Sequence, residues 1–242
     1  MNKHITQQFP EGKERYVHDM FSRIARRYDL LNRVLSFRTD VRWRRLAADA
    51  AELSPGDAVL DVATGTGDLA FELARRVGPT GRVVGADFVE EMLKIAREKA
   101  ARLPVGSVCE FQWANAMDLP YENGEFRAAT IGFALRNVAD IAGCLAEMRR
   151  VVEPGGKVVS LELSKPVWPV FRQVYYFYFY KLVPVIGRLG QGVDGPYTYL
   201  PNSLTHFPDQ EGLAQIMRRV GLKNVTYRNL TGGIAAIHVG TV

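Results

Sequence analysis

Cysteine is scarce in this sequence. Cys109 and Cys144 are the only two among 242 residues, and their spacing does not match that of a metal site. Both lie in apolar stretches, so we interpret them as reduced core thiols, which are typical of cytosolic proteins. We therefore expect a protein without a disulfide framework and without a bound metal ion.

Long apolar runs are missing as well. No uninterrupted apolar stretch reaches the roughly 20 residues that a helix needs to cross a bilayer. Residues 1–10 lack the apolar centre of a secretion signal, and we find no internal repeat or low-complexity tract. These absences predict a cytoplasmic globular protein, and a hydrophobic content of 47% is ordinary for that class.

A strong excess of one charge is also absent, because the net charge is only +5. Much of the positive excess lies early in the chain, in Arg23, Arg26, Arg27, Arg33, Arg38, Arg42, Arg44 and Arg45. Such a cluster can bind nucleic acid or an anionic membrane surface. A solvated helix face is an equally good interpretation.

What the sequence does contain is a regular alternation of strand and helix patterns. Predicted strands cover 59–62, 82–86, 108–113, 128–133, 157–163, 225–228 and 234–239, and predicted helices cover 90–102, 141–152 and 210–220. This order predicts a Rossmann-like α/β fold with a mostly parallel seven-stranded sheet and helices on both faces. The last two strands are joined by a short turn, so they can pair as a hairpin, which predicts an antiparallel edge strand.

Two segments flank or interrupt this alternation, and we expect both to cover the sheet. Residues 14–50 are predicted to be helical from an apolar stripe formed by Val17, Met20, Phe21, Ile24, Tyr28, Leu31 and Leu35. We therefore divide a single domain, 1–242, into an N-terminal helical cap (1–54), a cofactor-binding core (55–165), an aromatic insertion (166–207) and the end of the core (208–242).

The first predicted strand leads into a glycine turn, Gly65-Thr66-Gly67, and then a helix. This order brings backbone N–H groups and the positive end of a helix to one crevice, which can receive a nucleotide or an acidic ligand. The alternative is an ordinary turn that uses glycine for tightness.

Polar residues follow the next two strands and complete a candidate nucleoside pocket. Asp87, about twenty residues after the glycines, can accept both ribose hydroxyls, although a helix N-cap is an alternative role. Phe88 can pack on an adenine face, Asn115 can accept from the adenine amino group, and the backbone at Ala116 can serve the ring nitrogens. An NAD(P)-dependent oxidoreductase remains an alternative, because the glycine turn fits the loose dinucleotide pattern.

The glycine turn together with Glu153-Pro154-Gly155-Gly156 resembles class I S-adenosylmethionine-dependent methyltransferases. Further segments resemble the ubiquinone/menaquinone biosynthesis C-methyltransferases over nearly the whole chain: Tyr28-Asp29-Leu30-Leu31-Asn32, Leu35-Ser36, Trp43, Gly132-Phe133-Ala134-Leu135-Arg136-Asn137-Val138, Arg150-Val151 and Glu162-Leu163-Ser164-Lys165-Pro166. The chain departs from the usual family residues at Leu31, Asp40, Ala63, Gly132 and Glu153.

The resemblance implies methyl transfer from S-adenosylmethionine to a ring carbon of a prenylated quinol. The substrate we favour is demethylmenaquinol, which becomes menaquinol in menaquinone biosynthesis, with a polyprenyl benzoquinol of ubiquinone biosynthesis as the alternative. The resemblance also implies that Gly132 contacts the cofactor. We assign stabilisation of a developing oxyanion to Arg136, orientation of the ring to Asn137 and a hydrogen bond to a quinol oxygen to Tyr28. The alternatives are a salt bridge from Arg136 to a local carboxylate such as Asp140 and a core position for Tyr28.

The insertion is rich in aromatic residues, among them Trp168, Phe171, Tyr175, Tyr176, Phe177, Tyr178, Phe179 and Tyr180. Aromatic rings with polar tips suit a membrane interface or an apolar tunnel. We therefore expect the insertion to form a lid that guides the prenyl tail and makes peripheral contact with the inner face of the membrane. The alternative is a second core or a homodimer interface. We expect no nucleic-acid partner, because the aromatic run contains little lysine or arginine.

Overall fold

The computed structural model describes residues 12–168, residue 173 and residues 203–242. In chain order the helices are α1 (Lys13–Leu35), α2 (Thr39–Asp49), α3 (Asp68–Val77), α4 (Glu90–Ala100), α5 (Ile141–Arg150) and α6 (Gln210–Arg219). The strands are β1 (Ala58–Val62), β2 (Arg82–Asp87), β3 (Cys109–Trp113), β4 (Phe126–Gly132), β5 (Val152–Leu163), β6 (Lys223–Leu230) and β7 (Ala235–Thr241).

The seven strands form one sheet in the order β3-β2-β1-β4-β5-β7-β6. Neighbouring strands from β3 to β5 are parallel, and β7 pairs antiparallel with both β5 and β6. The predicted fold class is thereby confirmed. The strand order reverses between β1 and β4, and ligands of such sheets bind outside the carboxyl ends of the strands at this point.

The sheet is buried on both faces, which explains why its central strands are apolar runs rather than alternating patterns. On one face, Leu60 of β1 belongs to a cluster with Leu145 of α5 and Leu213 of α6. On the other face, Val59 belongs to a cluster with Leu73 of α3. Both faces of β1 are therefore anchored, and the residues that follow it start from a fixed position.

The predicted boundary between α5 and β5 is wrong. The helix ends at Arg150, and Val152 already pairs with Phe126 of β4. Val152 is buried and β-branched, so it stabilises the strand, and the register shifts between Phe126 and Ala128 to accommodate the proline and glycines of β5.

The N-terminal helices pack on the helices that flank the sheet. Val17, Met20, Ile24 and Ala25 form the buried stripe of α1, which packs against α4, while α2 packs against α3. Phe37 and Arg38 adopt left-handed φ angles of 50° and 62°, and this turn separates α1 from the second helix of the predicted helical segment.

Most of the aromatic insertion, including Phe171 and residues 175–180, lies outside the described residues, so its expected role as a lid stays a prediction. Within the described part of the chain, no helix combines the length and hydropathy that a membrane span requires. Cys144 is buried and Cys109 half-buried, and burial raises the pKa of both thiols to about 12, as expected for core thiols.

Candidate functional site

The loop after β1 turns sharply through three residues with left-handed φ angles, namely Ala63 (52°), Gly65 (58°) and Gly67 (85°). A Cβ on Gly65 would meet no heavy atom within 4 Å, so a ligand can approach this backbone closely. A Cβ on Gly67 would lie 3.0 Å from the rings of Phe71 and Phe111. The two predicted glycines therefore differ, since Gly65 borders open space and Gly67 permits close packing.

The side-chain carboxylate of Asp61, near the end of β1, holds this loop in place. Its two carboxylate oxygens accept hydrogen bonds from the hydroxyls of Thr64 and Thr130, both at 2.7 Å. Burial raises the pKa of Asp61 to about 6, and the two hydroxyl donors oppose that rise. The carboxylate thus ties the loop to the neighbouring strand β4.

The side-chain carboxylate of Asp87, at the end of β2, also holds the loop in place. Its Oδ2 accepts from the Gly65 N–H at 2.8 Å and its Oδ1 from the Val89 N–H at 2.9 Å. The N-cap position of α4 belongs to Val89, so the alternative role for Asp87 is wrong. Burial raises the pKa of Asp87 to about 6. The backbone of Phe88 also hydrogen-bonds to this carboxylate. An ionised carboxylate has about four acceptor sites, so about one remains for a ligand hydroxyl.

A cavity of about 180 Å³ opens beside this loop. It is bounded by α1 and by the segments that follow β1, β2, β3 and β4. Eight of the predicted site residues line it: Tyr28, Gly65, Asp87, Phe88, Asn115, Ala116, Gly132 and Asn137. The remaining three, Thr66, Gly67 and Arg136, do not line it.

Thr66 faces the N-terminal helix rather than the cavity. Its hydroxyl donates to Asp29 Oδ1 of α1 at 2.5 Å, and the ammonium group of Lys99 on α4 lies 3.0 Å from Asp29 Oδ2. Lys99 also pairs with Asp68 at the start of α3. We call Asp29, Thr66, Asp68 and Lys99 the α1 latch, because these residues join α1 to the glycine loop and to both neighbouring helices.

The other end of α1 is anchored to the segment after β4. Lys13 Nζ donates to the carbonyl oxygens of Val138 at 2.6 Å and Arg136 at 3.2 Å. Burial lowers the pKa of this lysine. Helix α1 therefore forms a wall of the cavity that is held at both ends.

Arg136 lies behind the cavity wall. Its guanidinium group pairs with the carboxylate of Glu162 on β5 and donates to the Phe133 carbonyl oxygen at 2.5 Å. Burial raises the pKa of Glu162, and the positive charge of Arg136 opposes that rise. The alternative role of Arg136 as a salt-bridge residue is therefore borne out, with Glu162 as the partner in place of Asp140, whose carboxylate accepts from the Ala142 N–H and caps α5.

Asn137 is the polar side chain best placed to meet a ligand. It is only 8% exposed and lines the cavity, and its Oδ1 has no hydrogen-bond partner among the described residues. A buried acceptor without a partner costs free energy, so a ligand hydroxyl that donates to it would be stabilised.

Tyr28 is half-buried in the α1 wall, where its ring meets Phe21 edge to face at 5.8 Å. Burial raises the pKa of its hydroxyl, while the nearby charges of Arg44 and Arg136 oppose the rise. Tyr28 is therefore a neutral hydrogen-bonding group at pH 7 that borders the cavity.

Trp113 was not predicted as a site residue, although it lines the cavity and is 61% exposed. Its indole N–H donates to the Phe88 carbonyl oxygen at 3.0 Å, which ties the indole to the backbone that follows β2. A tryptophan at the carboxyl end of a predicted parallel strand is the sequence signal that could have identified it. The side chain of Asn115 is held in place by a local hydrogen bond, since its Oδ1 accepts from the Met117 N–H at 2.9 Å.

Comparison with known proteins identifies close relatives. Residues 10–242 match the model of the ubiE/COQ5 methyltransferase family. A demethylmenaquinone methyltransferase from Desulfitobacterium hafniense is 45% identical over 95% of this chain and 91% of the relative. A ubiquinone/menaquinone biosynthesis C-methyltransferase UbiE from Geobacter sulfurreducens is 45% identical over 93% of this chain and 87% of the relative.

Solved structures with the same fold are more distant in sequence. A SAM-dependent methyltransferase from Aquifex aeolicus is 21% identical, with a TM-score of 0.57 over 78% of this chain and 83% of that chain. The [4+2]-cyclase SpnF is 19% identical, with a TM-score of 0.64 over 83% of this chain and 80% of that chain. These likenesses concern the fold alone, because the same fold carries different chemistries.

Proposed function

The chain belongs to the ubiE/COQ5 methyltransferase family, and we propose that it methylates a ring carbon of demethylmenaquinol to give menaquinol, with S-adenosylmethionine as the methyl donor. The observation that carries this proposal is the 45% identity to a demethylmenaquinone methyltransferase over 95% of the chain. A polyprenyl benzoquinol is the second candidate substrate, because similar relatives are named for both ubiquinone and menaquinone biosynthesis. Family membership speaks against the oxidoreductase alternative.

The cavity offers the groups that S-adenosylmethionine needs. The open space over Gly65 admits the ligand to the loop backbone, and Asp87 keeps about one acceptor site for the ribose beside its three backbone donors. Phe88 and Trp113 supply aromatic surface for the adenine, and Asn115 and Ala116 supply polar groups at its edge. When bound, S-adenosylmethionine supplies an electrophilic methyl group on a sulfonium.

The residues around Asn137 would prepare the acceptor ring. The methyl group replaces a ring proton, and the ring carbon becomes nucleophilic once the adjacent hydroxyl has lost its proton to a base in solution. Asn137 Oδ1 would orient that hydroxyl beforehand by accepting from it. Tyr28 would donate to the second quinol oxygen. Arg136 would favour the oxyanion through its positive charge, although its pairing with Glu162 reduces the field that it exerts.

The wall of the cavity also matters for the reaction. Val17, Phe21 and Ala134 present apolar surface, which excludes water and keeps the ring and the donor in line. Because the substrate carries a prenyl tail, we further propose that the protein works in the cytoplasm at the inner face of the membrane. A homodimer remains a prediction from the exposed aromatic residues.

The test is a methyl-transfer assay with methyl-labelled S-adenosylmethionine and a short-chain demethylmenaquinol in detergent. Mass spectrometry should detect one labelled methyl group on the naphthoquinol ring. The matching benzoquinol should react more slowly, and NADH should have no effect on the product. Absence of label from both quinols would contradict the proposal.

Arg136→Ala separates binding from turnover in the same assay. We expect unchanged affinity for S-adenosylhomocysteine in calorimetry, because Arg136 does not line the cavity. We expect loss of turnover, because the positive charge that favours the oxyanion is removed. Arg149→Ala, which removes an exposed arginine of α5, is the matched control and should retain turnover. Retained turnover in a folded Arg136→Ala variant would remove Arg136 from the mechanism.

A further inference from the structure

Helix α1 has a second face, opposite the one that borders the cavity. Leu30 is 64% exposed and Val34 52% exposed, and their spacing of four residues puts them side by side on the helix. Phe37 follows directly after the helix and is 78% exposed. We call Arg23, Arg26, Leu30, Arg33, Val34, Phe37 and Arg38 the α1 outer face.

This face carries positive charge around its apolar residues. Arg23, Arg26, Arg33 and Arg38 are exposed, and Arg33 reaches Asp68 only at 3.8 Å. Between residues 20 and 38 the sequence contains a single acidic residue, Asp29. Since Asp29 turns toward Thr66 and Lys99 in the α1 latch, it does not neutralise the arginines of the outer face.

Aliphatic and aromatic side chains among arginines match the interface of an anionic bilayer. The apolar groups enter the boundary between headgroups and acyl chains, and the guanidinium groups bind lipid phosphates. A nucleic-acid surface would instead need stacking rings or polar groups between its cations. We propose that the α1 outer face docks the protein on anionic phospholipid.

Docking in this orientation would bring the active site to the lipid. Val17, Phe21 and Tyr28 on the inner face of the same helix line the cavity, so one helix diameter of about 10 Å separates it from the outer face. This last consequence rests on the proposed function, because only a prenylated substrate makes proximity to lipid useful. The docking itself does not depend on methyl transfer.

The test is flotation of the full chain with phosphatidylcholine vesicles, with and without phosphatidylglycerol. The wild type should bind only the anionic vesicles. Arg23→Gln with Arg26→Gln should weaken binding by about 30-fold, at about 1 kcal/mol for each arginine. Leu30→Gln with Val34→Gln, which keeps good helix formers, should weaken it by about 10-fold through lost apolar insertion.

Arg219→Gln with Arg228→Gln is the charge-matched control, because both arginines are exposed on α6 and β6 at the other end of the sheet. Its vesicle binding should equal that of the wild type. The proposal is overturned if the wild type does not float with anionic vesicles, or if both α1 variants bind like the control. It is also overturned if only the arginine variant loses vesicle binding, the Leu30 and Val34 variant binds like the wild type, and RNA competes with the vesicles.

Methyl transfer to a short-chain quinol in detergent reports on the proposed function separately. Both α1 variants should retain this activity and lose activity only toward a long-chain quinol held in anionic vesicles. If the detergent activity is absent from the wild type while vesicle binding is intact, the proposed function fails and the docking surface stands.

Discussion

The cavity has two walls that are built by different physical means. The strand-end wall, after β1 and β2, is held by buried carboxylates that accept from the loop, as Asp61 and Asp87 do. The α1 wall is held by partly exposed side chains, such as the Asp29–Lys99 pair at 3.0 Å. The strand-end wall therefore presents a fixed surface to a ligand, whereas displacing the α1 wall costs less free energy.

The contacts that hold the two walls should contribute different free energies. A buried hydrogen bond to a charged group contributes about 1.5–3 kcal/mol, whereas an ion pair near the surface contributes about 0–1 kcal/mol. Substitutions in the strand-end wall should therefore have large effects on cofactor affinity. Substitutions in the α1 wall should act mainly on the rate at which the cofactor leaves.

The largest effect is expected for Asp87→Ala. This change removes the acceptor for the ribose hydroxyls and frees the Gly65 N–H, so affinity for S-adenosylhomocysteine should fall by about 100-fold or more. Calorimetry measures it. Asp209→Ala is the matched control, since this carboxylate also accepts from a backbone N–H, at 2.8 Å, but caps α6 away from the cavity.

The pH dependence of binding sharpens the same point. Burial raises the pKa of Asp87 to about 6, so the carboxylate is ionised at pH 7 and becomes protonated below about pH 6. Wild-type affinity should therefore decrease as the pH falls through 6, while that of Asp87→Ala should vary less. Unaltered affinity in Asp87→Ala would refute its assignment to the cofactor.

A smaller effect is expected for Asp29→Asn in the α1 latch. The amide keeps an acceptor for Thr66 but loses the ion pair with Lys99, whose side chain is 24% exposed. Dissociation of S-adenosylhomocysteine should become about 3-fold faster at low salt and approach the wild-type rate at high salt. Stopped-flow measurement checks this.

Asp19→Asn is the control for the latch, because this carboxylate lies on the same helix but is half-exposed and pairs with His18, which does not belong to the latch. Its dissociation rate should match that of the wild type. Equal rates in Asp29→Asn and Asp19→Asn would mean that the latch does not hold the α1 wall over the cofactor.

The smallest effect is expected for Ala63→Gly in the strand-end wall. Ala63 has a left-handed φ of 52°, which costs a residue with a Cβ about 1 kcal/mol, so glycine should raise the free energy of unfolding by up to about 1 kcal/mol. Urea denaturation measures it. Ala50→Gly, at a φ of −71°, should instead destabilise the protein, and equal losses in both variants would contradict the assigned strain.

The strand-end wall was also the easier one to predict from the sequence. Asp87 and Asn115 follow apolar strands directly, and parallel strands end at a common edge, so local patterns were enough to bring them together. The same logic located the glycine loop, and Ala63 in the first glycine position is accommodated where the loop bends.

The remaining contacts depend on pairs that are distant in the chain. Glu162 lies 26 residues from Arg136, and the pairing of β4 with β5 brings them together, so the nearer Asp140 was the wrong choice. Asp29 and Lys99 are 70 residues apart and meet only because α1 packs on α4. The sequence position of Thr66 likewise could not reveal that its hydroxyl donates to Asp29 of α1.

The most direct test of the account is the structure of the protein bound to S-adenosylhomocysteine. We expect the nucleoside over Gly65, the ribose hydroxyls on Asp87 and the sulfur facing Asn137, with α1 closed over the ligand. A nucleoside bound elsewhere, or a sulfur directed away from Asn137, would contradict the central claim that these strand ends and α1 form one methyl-transfer site.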